Sequence, residues 1–455
     1  MRMKAVLAGV ALAVATPAAA LPLCETEASD PAVPTLLGLK DRAALQDRWL
    51  GERLETLVPG LMRKAGVDMW ILVAREYLED PVVATMLDAT SFSARRRTIL
   101  VFFDPGEGKP IERLTVSRYG LAGLFAPSWV PEEEPDQWKR FAAIVAERAP
   151  KRIALNVSGE TAFADGLTAS QRDELLAALP EAMRARVVPA GSLAVDWLAT
   201  RTPAEMAVYP EIVRTAHAIV GEGLSSAVIT PGRTTTEDVE WWYRERIAGL
   251  KLDTWFQPSV NITRQGVKGT LDGTSIIQPG DLLWVDFGIK YLGLNTDTQH
   301  MAYVLKPGET DAPAGLKAGL AAANAVQDAL TASFKVGASG NEILAAARAR
   351  AIAFGLRPII YSHPIGYHGH AAGGTIGWWD NQGPSPAGER RIGANVAWSI
   401  ELAAEHAVPE WGGQVARFRL EEDAFFDGTS VRYIDGRQTR FHLLPRAGSS
   451  VGGCE

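Results

Sequence analysis

Five side chains in the second half of the chain are of the types that bind divalent metal ions, and they are Asp286, Asp297, His363, Glu401 and Glu421. Each lies in or beside an apolar run that predicts a β-strand. A carboxylate on such a strand is costly to bury unless a positive charge lies next to it, and a divalent cation is a compact source of that charge. Four carboxylates and one imidazole suit two hard or borderline cations. The sequence therefore predicts a metal site assembled from strand ends.

The two aspartates are separated by the pattern of a β-hairpin. Asp286 follows the apolar run 282–285, and Gly288 and Gly293 supply turn signals before Asp297. This pattern predicts a returning strand that places both carboxylates at the mouth of one hairpin.

Three histidines fall within eight positions, at His363, His368 and His370. A single histidine is more often a core or surface residue than a ligand. Here Gly366 and Gly369 would let backbone and substrate approach closely, which makes the segment a candidate site.

Glu401 and Glu421 follow the apolar runs 396–400 and 415–420. Each acid, considered alone, could have a structural role instead of binding metal. Glu401 could pair with an arginine, and Glu421 could belong to an exposed acidic edge over 421–423. These simpler roles are less favoured when all five candidates are considered together.

Two domains must position these residues. Apolar runs at 69–74, 98–103 and 152–157 predict strands, and helical patterns over 41–65, 135–149 and 169–185 alternate with them. This is an α/β pattern, and no histidine precedes His217. Thr202, Pro203 and Glu205 then predict a capped helix that opens a second domain. The predicted helices of that domain lie over 203–229, 235–250, 314–333 and 340–354.

The first twenty residues have the pattern of a secretory signal peptide. Arg2 and Lys4 precede an apolar run over 5–15, and small residues at 18–20 suit a cleavage site. A membrane anchor is the alternative, but the run is short for a bilayer span. We therefore expect a periplasmic or secreted protein with domains over 21–199 and 200–455 and no membrane span.

Composition narrows the possible partners. The chain has 455 residues, of which 47% are hydrophobic and 22% charged, as in an ordinary globular protein. Its formal net charge of -7 argues against nucleic acid or anionic lipid as a partner. The two cysteines, Cys24 and Cys454, lie near the chain ends, and either a disulfide or two free thiols remains open.

The motifs together resemble a known family. Four segments are similar to the successive motifs of the M24 metallopeptidases. They are the segment 284–288 with Asp297 eleven positions after Asp286, His363 with His370 seven positions later, the segment 399–401 and the segment 419–423. That family includes methionine aminopeptidase, Xaa-Pro aminopeptidase and prolidase. The specific motifs cover about residues 200–445, and residues 40–195 more loosely resemble the amino-terminal domain of creatinase and prolidase.

The resemblance implies an α/β (α+β) fold, with a creatinase-like α/β amino-terminal domain followed by a pita-bread catalytic domain. It implies that Asp286 binds one metal ion, that Asp297 and Glu421 bridge two ions, and that His363 and Glu401 bind the other. It further implies that Glu401 transfers a proton from water to the leaving nitrogen. Mn²⁺ is the expected metal, with Co²⁺, Zn²⁺ and Fe²⁺ as alternatives.

Two histidines are expected near the substrate. His370 resembles a histidine that contacts substrate rather than metal. His368 has no clear counterpart and is expected to support the substrate site.

The sequence also departs from the family pattern. A histidine usual in these peptidases is replaced at 268–269 by Lys268 and Gly269, where Lys268, Arg264 or Gln265 could substitute for it. Gln299 and His300 replace the usual threonine and arginine, and Leu402 replaces the usual proline. These changes affect the expected substrate choice more than metal binding.

We expect an exported metal-dependent peptidase of the Xaa-Pro aminopeptidase or prolidase type. Its partner would be a proline-containing peptide, and family resemblance suggests a dimer or higher homo-oligomer. Two alternatives remain open, a creatinase-like C–N hydrolase without metal and a non-catalytic binding scaffold on the same fold.

Overall fold

The computed structural model describes residues 32–445 except 92, 107, 371 and 372. The predicted signal peptide and both cysteines lie outside the described residues, so export and the disulfide stay predictions. Among the helices of the described residues, none combines the length and apolarity needed to cross a membrane.

The first part of the chain forms a six-stranded sheet between two layers of helices. In chain order its elements are α1 (Leu39–Thr56), α2 (Val58–Ala65), β1 (Met69–Arg75), α3 (Pro81–Ala84), β2 (Arg97–Phe103), β3 (Glu112–Thr115), β4 (Ala126–Pro127), α4 (Gln137–Arg148), β5 (Ile153–Leu155), α5 (Ala169–Ala178), α6 (Glu181–Arg184), β6 (Val187–Pro189) and α7 (Ser192–Ala199). The strand order is β4-β3-β2-β1-β5-β6, with β1 antiparallel to β2 and parallel to β5.

Strand β1 shows why the sheet is covered on both faces. Trp70 and Leu72 pack toward α1, α2 and α7, whereas Met69 and Ile71 pack toward α4 and α5. A strand buried on both faces has a continuous apolar sequence, and that run made β1 predictable.

The strands predicted before residue 200 are confirmed, but two predicted helices are divided. The pattern over 41–65 becomes α1 and α2, with Pro59 in the first turn of α2. The pattern over 169–185 is interrupted at Pro180. Proline lacks the N–H that would continue a helical ladder, so each helix ends before it.

Helix α8 (Pro203–Gly223) opens the second part with the predicted capping box. Thr202 Oγ1 accepts from the Glu205 backbone N–H, and a Glu205 carboxylate oxygen accepts from the Thr202 backbone N–H. The helix ends at Gly223 rather than at 229. Ser225 Oγ donates to the Glu222 carbonyl there, a local bond that competes with further helix.

The second part contains several antiparallel sheets that meet around one interior region. After α8 its elements are α9 (Thr236–Gly249), β7 (Ser259–Thr263), β8 (Leu282–Phe287), β9 (Lys290–Tyr291), β10 (Leu294–Asn295), β11 (Thr298–Val304), α10 (Ala314–Thr331), α11 (Gly340–Ala353), β12 (Pro358–Ile360), β13 (His363–Ile365), β14 (Val396–Ser399), β15 (Leu402–Val408), β16 (Gln414–Leu420), β17 (Asp423–Phe426), β18 (Val431–Tyr433) and β19 (His442–Leu444). The predicted helices over 235–250, 314–333 and 340–354 are confirmed as α9, α10 and α11.

Three of these sheets contribute to the interior region. Their strand orders are β19-β11-β8-β7, β12-β15-β16 and β13-β14-β17-β18. Helices α8 and α9 contact the first sheet, and α10 and α11 contact the second. A backbone bridge between Gln299 and Glu421 links the first sheet to the junction of β16 and β17. The helices therefore lie outside, and the polar side chains of the strands meet inside.

A buried ion pair joins the two parts of the chain. Arg53 of α1 lies 2.9 Å from Glu205 of α8, and these side chains are 1% and 0% exposed. The Arg53 guanidinium also lies over the rings of Trp197 and Tyr367. Since Tyr367 lies between His363 and His370, the first part of the chain contacts the histidine segment directly.

Candidate metal centre

The strand ends bring all five predicted ligands to one place. In the hairpin of β8 and β11, Asp286 lies opposite Gln299, and Asp297 directly precedes β11. The predicted hairpin is therefore confirmed. His363 begins β13 and pairs with Ser399 of β14. Glu401 and Glu421 follow β14 and β16, where the ends of the two strands converge on the hairpin.

The centre is built around the inward-facing nitrogen of His363. Its Nε2 atom lies 3.5 Å from Asp297 Oδ2, 3.9 Å from Glu421 Oε1 and 4.0 Å from Glu401 Oε2. His363, Glu401 and Glu421 form one group with ligand atoms within 4.8 Å of one another. Asp286, Asp297 and Glu421 form a second such group. The two groups share Glu421, as expected where one carboxylate serves two ions.

Unpartnered polar atoms show that these residues fit divalent cations. Asp286 Oδ1 and His363 Nε2 are buried without a hydrogen bond. His363 Nδ1 lies 3.1 Å from the Pro364 carbonyl, which fixes the ring and leaves Nε2 as the inward ligand. Buried polar atoms are nearly always paired, so these two atoms are suited to bind a cation.

Electrostatics supports the same conclusion. Burial, and then the neighbouring acids, hold the pKa values of Asp297, Glu401 and Glu421 well above their usual range. Burial raises the pKa of Asp286 to about 7, although Arg419 opposes the rise. Burial lowers the pKa of His363 to about 3, so its imidazole is neutral at physiological pH. A neutral imidazole among crowded acids is a good cation site.

Three further side chains orient the ligands. Gln299 donates to Glu401 and Glu421, Trp379 Nε1 donates to Glu401 at 3.0 Å, and Ser399 Oγ donates to Glu421. Sequence reasoning noted Gln299 only as a departure and assigned no role to the other two. Ser399 precedes Glu401 by two positions, so strand alternation could have indicated it, whereas no sequence signal singles out Trp379.

Comparisons with known proteins agree with this geometry. The sequence model of metallopeptidase family M24 matches residues 211–427, a range that contains all five predicted ligands. Residues 211–427 belong to metallopeptidase family M24. The predicted family and enzyme class are therefore confirmed. A search of curated proteins by sequence gives no match.

Solved structures extend the comparison to both parts of the chain. The fold is similar to that of X-Pro aminopeptidase from Thermotoga maritima, at 15% identity over 84% of this chain and 99% of that chain, with a TM-score of 0.59. Xaa-Pro dipeptidase from Bacillus anthracis gives 17% identity, 90% and 100% coverage and a TM-score of 0.56. Prolidase from Pyrococcus horikoshii gives 14% identity over 85% of this chain and 97% of that chain, with a TM-score of 0.51. The predicted amino-terminal domain followed by a pita-bread domain is confirmed, and these low identities establish the fold alone.

The two histidines predicted near the substrate lie in different surroundings. His370 is exposed, with its ring 4.6 Å from that of His363 and 4.9 Å from that of Trp255. It could also join Asp297 and His363 in binding a cation. His368 is buried, with its ring 5.9 Å from Phe163 of the first part. Substrate contact by either residue stays a prediction, and the exposed His370 is better placed for it.

Two of the three residues suggested as substitutes for the usual upstream histidine have other partners, and the third is exposed. Two nitrogens of the Arg264 guanidinium, Nε and Nη2, each donate to a carboxylate oxygen of Asp281 at 2.7 Å. Gln265 donates to the Glu410 carbonyl, and Lys268 is exposed. Arg264 is thus held by an ion pair and is unsuited to the role of a free imidazole.

Proposed function

We propose that this chain is a dinuclear metal-dependent peptidase of the Xaa-Pro aminopeptidase or prolidase type. The observation that carries the proposal is the convergence of five ligands in two groups that share Glu421. The unpartnered His363 Nε2 and Asp286 Oδ1 support it, because both atoms lie where a cation would bind. Mn²⁺ suits this oxygen-rich set best, and Co²⁺, Zn²⁺ or Fe²⁺ could replace it.

The metal ions and the protein side chains would have different roles in hydrolysis. Two bound divalent ions would polarise the scissile carbonyl and lower the pKa of a water molecule. Glu401 is buried beside His363, and its carboxylate would accept a proton from the attacking water and deliver it to the leaving nitrogen. Gln299 and Trp379 hold the Glu401 carboxylate in place through hydrogen bonds.

An aromatic wall beside the centre suits a proline ring. The rings of Tyr361 and Trp378 stack at 5.3 Å, and the ring of His370 lies 5.7 Å from Tyr361. The ring of Trp255 lies 4.9 Å from that of His370 and nearly perpendicular to it. Such surfaces bind an apolar ring and exclude water from the bond to be cleaved. The Xaa-Pro aminopeptidase and dipeptidase among the similar structures support the same substrate class.

A substrate panel tests the proposal. The mature chain, loaded with Mn²⁺ or Co²⁺, would be assayed against X-Pro dipeptides, longer peptides that begin X-Pro, and matched X-Ala controls. We expect metal-dependent cleavage that favours the proline substrates. Cleavage of small C–N substrates by chelator-treated protein would support a creatinase-like hydrolase instead. Binding of the peptides without turnover, with metal present, would support a binding scaffold.

Export and self-association are separate parts of the proposal. We infer from the leader pattern that the mature protein is periplasmic or secreted, and from the family resemblance that it forms a homodimer or higher oligomer. Cell fractionation with amino-terminal sequencing tests the first inference, and light scattering tests the second. A cytoplasmic, uncleaved protein would contradict the first, and a monomer at assay concentration would contradict the second.

A further inference from the structure

A second group of buried histidines lies apart from the candidate metal centre. The chain has seven histidines. Three belong to the segment 363–370 and three others gather elsewhere, in a group that we call the rear cluster. Its members are His217, His300, Glu422, Asp435 and His442. The proposed peptidase chemistry uses none of them.

The rear cluster has the spacing of a metal site. His217 Nε2 lies 3.1 Å from Glu422 Oε2, and His300 Nε2 lies 3.1 Å from Glu422 Oε1. His217, His300 and Glu422 each present one ligand atom within 4.8 Å of the others. Atoms bound at about 2.0–2.2 Å to one zinc ion lie about 3 Å or slightly more from one another. The observed separations therefore suit ligands of a shared ion.

Two ligand atoms of the rear cluster lack hydrogen bonds, as do His363 Nε2 and Asp286 Oδ1 in the candidate metal centre. His217 Nε2 and Glu422 Oε2 are buried and, although 3.1 Å apart, do not have the geometry of a hydrogen bond. The side chains of His217, His300 and Glu422 are 1%, 1% and 0% exposed, so solvent does not readily satisfy them. The candidate metal centre likewise contains an unpartnered buried imidazole nitrogen, His363 Nε2, and an unpartnered buried carboxylate oxygen, Asp286 Oδ1.

The outer nitrogen of each imidazole has a partner that would fix a ligand. His217 Nδ1 lies 3.2 Å from Asp435 Oδ2, and Asp435 Oδ1 in turn lies 3.0 Å from Arg214. His300 Nδ1 lies 3.2 Å from His442 Nε2. Histidines that bind metals commonly place the other ring nitrogen against a carboxylate or similar acceptor. Both imidazoles are therefore held with Nε2 toward Glu422.

Charge balance permits a divalent ion here. Glu422 and Asp435 supply two negative charges beside His217 and His300, and Arg214 is about half exposed at the edge of the cluster. Burial opposes a proton on His217, but Asp435 and Glu422 outweigh it and raise the His217 pKa to about 10, so a bound cation would have to displace this proton. A dication would neutralise the two carboxylates within a region from which water is excluded.

We propose that His217, His300 and Glu422 bind a third divalent cation, of the borderline class to which Zn²⁺ belongs. Two imidazoles and one carboxylate are a common zinc ligand set. The ion would tie helix α8 to strand β11 and to the junction of β16 and β17. Because the cluster is closed to substrate, its role is structural. The proposal does not depend on peptidase activity.

Metal analysis tests this site separately from the first. The full mature chain and its His217→Gln variant would be saturated with Zn²⁺ alone, dialysed and analysed by mass spectrometry for zinc. We expect the variant to hold one ion fewer per chain, both in the native background and in an Asp297→Ala background. His406→Gln, a matched change in the partly exposed histidine of β15, should lose none. Zn²⁺ should also raise the Tm of Asp297→Ala, and His217→Gln should abolish that rise.

The outcomes separate the two sites. Loss of one ion on His217→Gln supports the rear cluster whatever the first centre binds. Equal zinc content in the His217→Gln and native proteins overturns the proposal and leaves His217 as a protonated partner of Glu422 and Asp435. If His217→Gln does not fold, anomalous scattering from zinc-grown crystals of the native chain decides. A peak among His217, His300 and Glu422 supports the site, and its absence with peaks at the first centre overturns it.

Discussion

The side-chain amide nitrogen of Gln299 lies 2.6 Å from Oε1 of Glu401, and its other contact is Glu421 Oε2, also at 2.6 Å. One neutral amide thus orients two predicted ligands. We expect Gln299→Met, which keeps the length and removes both donors, to weaken metal binding by about 10- to 100-fold, as loss of such supporting bonds typically does. Competition with a chelator measures the affinity.

Gln327→Met is the matched control for this change. Gln327 is fully buried in α10, and its side-chain atoms have no hydrogen-bond partner. Its replacement should leave metal affinity unchanged. An unchanged affinity in Gln299→Met as well would show that the two glutamates hold their positions without the amide.

Asp297 should be needed for both ions of the candidate metal centre. It lies 3.5 Å from His363 and also belongs to the group with Asp286 and Glu421. We expect Asp297→Ala to hold two Mn²⁺ ions fewer per chain than the native protein, since a bridging ligand serves both. Elemental analysis after dialysis measures the loss. Loss of a single ion would mean that Asp297 does not bridge.

His370 should affect turnover more than metal content. Its exposed ring lies at the aromatic wall beside the centre. If it donates to the developing oxyanion, His370→Ala should lower kcat/KM for an X-Pro substrate by about 10²- to 10³-fold, with metal content retained. His406→Ala is the control. Parallel loss of metal and activity would instead assign His370 to the cation group with Asp297 and His363.

The buried pair between Arg53 and Glu205 should contribute strongly to stability. Arg53→Met would leave the Glu205 carboxylate in the interior with only Arg201, at 3.6 Å, as a charged partner. Breaking a buried pair from one side costs about 3–5 kcal/mol of unfolding free energy, and Arg201 should keep the loss near the lower end. Denaturant titration measures it. Arg96→Met, which breaks an exposed pair with Glu76, should cost less than about 1 kcal/mol.

Asp80 should make the first part of the chain less stable as the pH rises. Burial raises its pKa from 3.8 to about 6, although hydrogen bonds from Asn156 and from the start of α3 oppose the rise. The folded state therefore holds this proton more tightly than the unfolded state does. Its stabilising contribution is complete below about pH 4 and is lost as the pH rises through about 6.

The variant Asp80→Asn does not titrate. Relative to the native protein, it should gain up to about 3 kcal/mol between pH 4 and pH 7. Unfolding would be measured in chelator, so that metal loss does not contribute. Asp136→Asn, at the exposed cap of α4, is the matched control. A constant difference between Asp80→Asn and native protein across this range would show that Asp80 does not carry the effect.

Local patterns predicted the elements better than they predicted the assembly. Continuous apolar runs marked β1 and β2, and the capping residues at Thr202 and Glu205 marked the start of α8. The five candidate ligands could be selected from the sequence because each lies in or beside an apolar run, at a spacing that resembles one family. The arrangement of curved sheets came from that resemblance, because hydrophobic periodicity does not determine which sheets meet.

Contacts between distant residues were the ones that the sequence did not indicate. His217 and Glu422 are 205 positions apart by their numbering, and only the packing of α8 against the strands brings them together. Trp379 reaches Glu401 from a loop without periodicity. Such contacts depend on tertiary packing, and no spacing rule along the chain predicts them.

The adjacent residues Glu421 and Glu422 supply one carboxylate to each cluster. They lie at the junction of β16 and β17, where successive side chains point to opposite faces. A one-residue slip in the register of this segment would exchange the two faces and remove the correct acid from both places at once. A substitution of Glu421 or of Glu422 alone therefore removes a carboxylate from one cluster, whereas a single-residue insertion or deletion between 414 and 426 should damage both.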